Sequence, residues 1–303
     1  GAVMALALGR RRSPVFYFNL WGFAFALPAL LLLLVFNIYP LINAFYISLT
    51  SWDLGPRMRF VGLANFLYMF TSDQNFRRSI GTTLYYVVGL NPLMWTVSLG
   101  LALLFNRQFI GRSAFRTIYF TPVVISWVVA ALVWFIILGH PTYSLSARIL
   151  GLFGRPGFSF IHSAAWVMPA MIFLSLWKGV GYYMVLFLAG LQNIPQELYE
   201  AAAVDGANAW QRFWYITIPL LRPALLFVMV ISIIGSFQVF TPIWILTQGG
   251  PAGASRVLTV YMYENAFMYL KMGYAAAMSV VLFLILGFLT LVQFRLVRSD
   301  VAE

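Results

Sequence analysis

One lysine, Lys178, lies deep inside a long apolar run, where it would place a charge at membrane depth. A buried ammonium there is costly and must face water, a ligand, backbone carbonyls or a neighbouring subunit. None of the eight Asp and Glu residues falls within an apolar run, and Glu197, Glu200 and Asp205 crowd into a single loop. An ion-coupled carrier usually holds a carboxylate at membrane depth and carries internal inverted repeats. Neither pattern is found, so the driving energy is expected from elsewhere. A membrane-embedded enzyme needs a convergent nucleophile, acid–base or metal set. The chain has no cysteine, and His140 and His162 are too far apart for a helical metal pair. No catalytic residue and no metal ligand is therefore expected. The only lysines, Lys178 and Lys271, do not follow a glycine-rich phosphate loop, so nucleotide would have to bind a partner.

The elements that position these residues follow from composition. With 62% hydrophobic and 9% charged residues and a mean hydropathy of +0.87, the chain reads as a polytopic membrane protein. A bilayer core about 30 Å thick requires roughly 20 apolar residues per helix. Six stretches meet that length, near 20–49, 80–105, 118–138, 164–191, 219–247 and 274–297, giving an all-α fold with six transmembrane helices. The first runs on through Pro28 and Pro40 without a small-residue cleavage site and reads as a retained helix rather than a cleaved signal. Arg10, Arg11 and Arg12 precede it directly, which places the amino terminus and, with six spans, both termini in the cytoplasm. Arg107, Arg112, Arg116, Arg212, Arg295 and Arg298 then lie inside, while Arg57, Arg59, Arg77 and Arg78 run against the rule. The net charge of +11 is scattered over loops and helix ends, which suits a membrane surface and not nucleic acid. The ten tryptophans and sixteen tyrosines mostly suit interfacial belts.

The fourth loop is the most structured polar segment. Pro195 suits a first helical turn and Glu197 complements the positive end of the helix dipole. Leu198, Ala201 and Ala202 recur at helical spacing, and Gly206 is placed to end the helix. Asn208 and Gln211 form a capping-box pair for a second short helix, and Pro219 marks entry to the next span.

The ordered run Glu200-Ala201-Ala202-x3-Gly206-x9-Ile216-x-Ile218-Pro219 resembles the signature loop of binding-protein-dependent ABC importer permeases, with Ile218 where that family usually has leucine. Phe60-Val61-Gly62-Leu63-Ala64-Asn65-Phe66 with Asp73 and Phe76 resembles the segment after the extra first helix of the A-type sugar and glycerol-phosphate branch. Leu246-Thr247-Gln248-Gly249-Gly250-Pro251, followed by Tyr263-Glu264-x-Ala266-Phe267, resembles that branch's outer loop, and Ser255 replaces a more frequent threonine. The matches cover roughly residues 20 to 297. The resemblance implies a type I importer permease fold and a non-catalytic subunit of the cell membrane. By the same resemblance such a subunit would pair with a second permease, two copies of an ATPase subunit that bind ATP and Mg, and an extracytoplasmic binding protein, and would bind no cofactor itself. Coupling to the ATPase would fall to Glu200, Ala201, Ala202, Asp205, Gly206 and Arg212, and contact with the binding protein to Gly249, Gly250 and Pro251. The implied domains are a cytoplasmic tail 1–19, a first helix and outer amphipathic segment 20–79, a five-helix core 80–297 with coupling loop 192–218, and a tail 298–303.

Counting without gaps from Glu200, the sugar-contacting positions of maltose-type permeases fall on Ser175, Lys178, Gly179 and Tyr182, and on Ser232, Gly235, Ser236 and Val239. Each set has i, i+3, i+4, i+7 spacing and so shares one helix face. Trp177, Lys178 and Gly181 match a Trp-Lys-x-x-Gly pattern that recurs in the family. The overall resemblance is nearest to permeases for glycerol 3-phosphate or glycerophosphodiesters. A neutral di- or oligosaccharide of the maltose or trehalose type is the alternative cargo.

Overall fold

The computed structural model describes residues 25–154 and 157–297. Arg10, Arg11, Arg12 and Arg298, and the tails 1–19 and 298–303, lie outside them. Five described helices are long and apolar enough to cross a membrane: Phe25–Ser48, Gln74–Asn106, Val167–Gln192, Arg222–Thr247 and Met272–Arg295. Arg112–Val124 and Trp127–Leu138, two helices that meet at 100°, pass the same test together and count as the third of six spans when taken as one broken span. The all-α architecture expected from composition is therefore present, with five unbroken spans and the bent pair as the sixth.

Two expected elements differ. The second span begins at Gln74 rather than near 80, because the Asp73 carboxylate caps it, accepting from the N–H groups of Asn75 (2.9 Å) and Phe76 (3.0 Å). The boundary expected at 79/80 thus falls inside its first turns. The third span is not one helix. Pro122 lacks an N–H and crowds the preceding turn, Ile125 turns extended, and the Ser126 hydroxyl caps a new helix by accepting from Val129 N–H. The outer segment also holds a small antiparallel pair, Thr50–Ser51 with Arg59–Phe60, fixed by Asn65, whose amide donates to the carbonyls of Ser48 and Thr50.

The second and fourth spans form the centre of the bundle, with Tyr86, Leu90 and Met94 packed among Met171, Leu174 and Ile243. Towards one end Phe76, Tyr261, Tyr274 and Met278 form a second cluster, and at the other Phe105, Phe187, Leu191 and Leu221 form a third. The first span stays on the outside, its apolar stretch unburied, with Phe45 edge-on to Phe283 of the last span. One recess joins Asn106 and Arg107 to Gln192, Tyr199 and Arg212. Another joins Arg78 to Ala164 and Gly253. The 193–217 loop and the 248–257 loop therefore sit at opposite ends of the bundle.

Candidate functional site

A cavity of about 320 Å³ opens between the second, third, fourth and fifth spans. Of the eight sequence-derived pathway positions, Ser175, Gly179, Ser232, Gly235, Ser236 and Val239 line it. Each serine accepts a hydrogen bond from the second span: Ser175 from the Tyr86 phenol (2.7 Å), Ser236 from the Asn91 amide (2.8 Å) and Ser232 from the Trp95 indole (2.8 Å). These bonds hold the hydroxyls in place while leaving them lone pairs to offer. The Asn91 Oδ1 is buried and has no partner. Trp127, Tyr183 and Phe240 supply aromatic walls, Gln238 and Thr241 further polar groups, and none of the lining residues is charged.

Lys178 and Tyr182 are not among the lining residues. Lys178 is 5% exposed and its ammonium turns away, donating to the carbonyls of Pro122 (3.0 Å) and Val123 (3.2 Å) at the break in the third span. Tyr182 faces outward, and its neighbour Tyr183 takes the place against the cavity. Sequence reasoning missed Tyr86, Asn91 and Trp95, whose spacing of four to five in a span containing Pro92 was the available signal. Trp127 carried none, because only the bend brings it to the cavity. A larger recess of about 510 Å³ between the first and last spans is almost wholly apolar and offers no comparable set of polar groups.

In the fourth loop the helix Gln196–Val204 buries none of its residues. It is stopped by Gly206, at φ +80°, with Ala207 N–H donating to Ala202 O (2.8 Å) and Gly206 N–H to Ala203 O (3.2 Å), the paired bonds of a Schellman end. The Asn208–Gln211 capping box is formed in both directions. Glu200, Ala201, Asp205 and Gly206 are exposed, Ala202 and Arg212 partly so, and Val204, Trp210 and Tyr215 add exposed apolar surface. Glu200 accepts from the Gln196 amide (2.9 Å), and the Tyr199 phenol meets the Thr217 hydroxyl (3.0 Å), tying the helix to the far end of the same loop, shortly before the fifth span. The segment is stiff below and uncovered above.

At the opposite end, Gly249, Gly250 and Pro251 form a tight turn with a cis Gly250–Pro251 bond. Ser255 secures it, its hydroxyl donating to Gly250 O (2.6 Å) and meeting the Thr247 hydroxyl (2.7 Å). Burial pushes the Glu264 carboxyl above its ordinary value, only partly offset by the Arg256 guanidinium, whose Nε lies 3.2 Å away. His140 stacks on Tyr143 and His162 meets the Ser159 hydroxyl; among the described residues no group of His, Asp or Glu could hold a metal ion.

Residues 94–302 match the family described as binding-protein-dependent transport system inner membrane component. A probable ABC transporter permease of Bacillus subtilis, YesP, is 36% identical over 280 residues, covering 91% of this chain and 90% of that protein. The arabinooligosaccharides transport system permease AraP, also of Bacillus subtilis, is 34% identical over 93% of this chain and 90% of its own length. Among solved structures, a chain of a bacterial alginate ABC transporter, in complex with a periplasmic protein bound to an alginate pentasaccharide, superposes with a TM-score of 0.81. It is 24% identical, covers 94% of this chain and 96% of its own length, and shares the fold.

Proposed function

This chain belongs to the family of binding-protein-dependent transport system inner membrane components, and we propose that it forms, with a second permease, the pathway of an ATP-driven importer for neutral oligosaccharides. The uncharged cavity carries this reading. Anchored serines and aromatic walls suit the hydroxyls and the apolar ring faces of a carbohydrate. The arabinooligosaccharide substrate in the name of a relative points the same way. The glycerol phosphate expectation finds no support: no cation lines the cavity, and the ammonium of Lys178 is taken up by two carbonyls.

The energy enters through the exposed 196–204 helix. An ATPase subunit docks there, and its nucleotide-driven closure moves the helix as a rigid body; the Schellman end, the capping box and the Tyr199–Thr217 contact transmit the push into the fifth span. The 193–217 loop faces the cytoplasm with both termini, and the Gly249–Pro251 turn faces a cargo-carrying binding protein.

The test is ATP hydrolysis by the assembled complex in nanodiscs, with its binding protein, in the presence of neutral oligosaccharides, glycerol 3-phosphate or glycerophosphocholine. Stimulation by an oligosaccharide alone is the expected result. Stimulation by the phosphate compounds alone would overturn the cargo reading.

A further inference from the structure

The ammonium of Lys178, which does not reach the cavity, sits where the third span breaks. The helix Arg112–Val124 ends there, and the last carbonyls of a helix lack intrahelical donors and carry the negative end of its dipole. Lys178 supplies both donor and charge to two of them, Pro122 and Val123. Its Nζ also lies 5.0 Å from the ring centre of Trp127, the first residue of the helix that follows the break. One cation therefore holds both sides of the 100° bend.

Its sequence neighbours grip the same two helices. Trp177 packs edge-on against Trp134 of the second half, ring centres 5.6 Å apart. Gly181 lets the first half approach so closely that a Cβ there would stand 2.1 Å from the Tyr119 carbonyl oxygen. Trp177, Lys178 and Gly181 thus address, in order, the half after the break, the break itself and the half before it. Trp127, fixed in this way, is also a wall of the cavity.

We infer that Trp177, Lys178 and Gly181 form a clasp on the broken third span, and that Lys178 is a positioning residue that sets the fit of cargo by orienting Trp127 without touching cargo itself. The part that concerns cargo rests on the oligosaccharide reading above; the clasp does not.

Two measurements on the assembled complex separate them. The chain has no cysteine, so a single Cys at Ile125, in the break, reports its openness through the rate of thiol labelling. Lys178→Met, which keeps an apolar stem for membrane insertion, is expected to raise that rate on the order of threefold, the scale of one modest cation–π contact, while Lys178→Arg leaves it near the parent value. An unchanged rate in Lys178→Met overturns the clasp, whatever the cargo.

The second measurement is the ratio of ATP turnover stimulated by a disaccharide to that stimulated by a longer oligosaccharide. Lys178→Met and Trp127→Leu are each expected to shift the ratio on the order of threefold, and the double variant no further than Trp127→Leu alone. Lys178→Arg should restore the ratio. If Lys178→Met lowers turnover equally for both cargoes, or if the two shifts add, the positioning role is refuted. A parent complex that no neutral carbohydrate stimulates, but whose break still loosens in Lys178→Met, refutes the cargo reading and leaves the clasp standing.

Discussion

The carboxylate of Asp73, at the start of the second span, accepts a hydrogen bond from the phenol of Tyr274, 201 residues later at the start of the last span. Tyr261 donates to the same oxygen at 2.7 Å, and the other oxygen caps the second span. One buried carboxylate thereby fastens three segments at the end of the bundle that carries the Gly249–Pro251 turn. Burial pushes its proton affinity up, but the bonds from Tyr274, Tyr261, Phe76 and Asn75 together outweigh burial and hold it below its ordinary value.

Asp73→Asn is expected to cost about 2 kcal/mol, the scale of a hydrogen bond to a charged group, seen as a lower thermal unfolding midpoint in detergent. A carboxyl whose folded-state affinity for protons is depressed adds stability above its unfolded pKa of about 3.9 and loses it as pH falls further. The gap between parent and variant should therefore be full at pH 7 and narrow below about pH 4. Equal midpoints at pH 7 would dismiss the latch.

Gly181→Ala and Gly235→Ala should part company. The first forces a methyl into the Tyr119 carbonyl and is expected to cost about 1–3 kcal/mol as overpacking, with poor recovery of the folded chain. The second meets no atom within 4 Å yet lines the cavity. It should fold normally and change cargo-stimulated turnover. Size-exclusion recovery and turnover, measured side by side, decide the matter; similar losses of folded protein would show that the packing at Gly181 is not tight.

For the loop, Gly206→Ala places a side chain at φ +80° and should destabilise the helix end by about 1 kcal/mol. Coupling should weaken before assembly does. Glu200→Lys, on the exposed face, is expected to leave the chain inserted and to release or uncouple the ATPase subunits. Co-purification and the ratio of transport to ATP hydrolysis report this, and normal transport by Glu200→Lys would count against docking at this helix.

Asn91→Leu removes the donor to Ser236 and Val87 and a buried oxygen without a partner, at a residue that lines the cavity. Turnover stimulated by oligosaccharide should fall on the order of tenfold, with unstimulated hydrolysis and assembly unchanged. Unaltered stimulation would move the cargo contacts elsewhere.

Much of this protein was legible because the bilayer makes local sequence decisive. A stretch of apolar residues long enough to cross must satisfy its backbone internally, so composition and length alone located the helical spans, though not the break in the third or the first turns of the second. The Asn208–Gln211 box and the Gly206 stop were equally legible, because capping is chemistry between near neighbours. The order of the motifs in the fourth loop and beyond pointed to the family. Tertiary contact decided the rest. That Asp73 moves the start of the second span to Gln74 depends partly on tyrosines nearly two hundred residues away. Helical periodicity placed Lys178 on the same face as Ser175 and Gly179, and it could not foresee that two carbonyls exposed by a bend in another span would draw the ammonium aside. Hydrophobic length fixes which segments cross; the partners available to a buried polar group are set by how those segments meet.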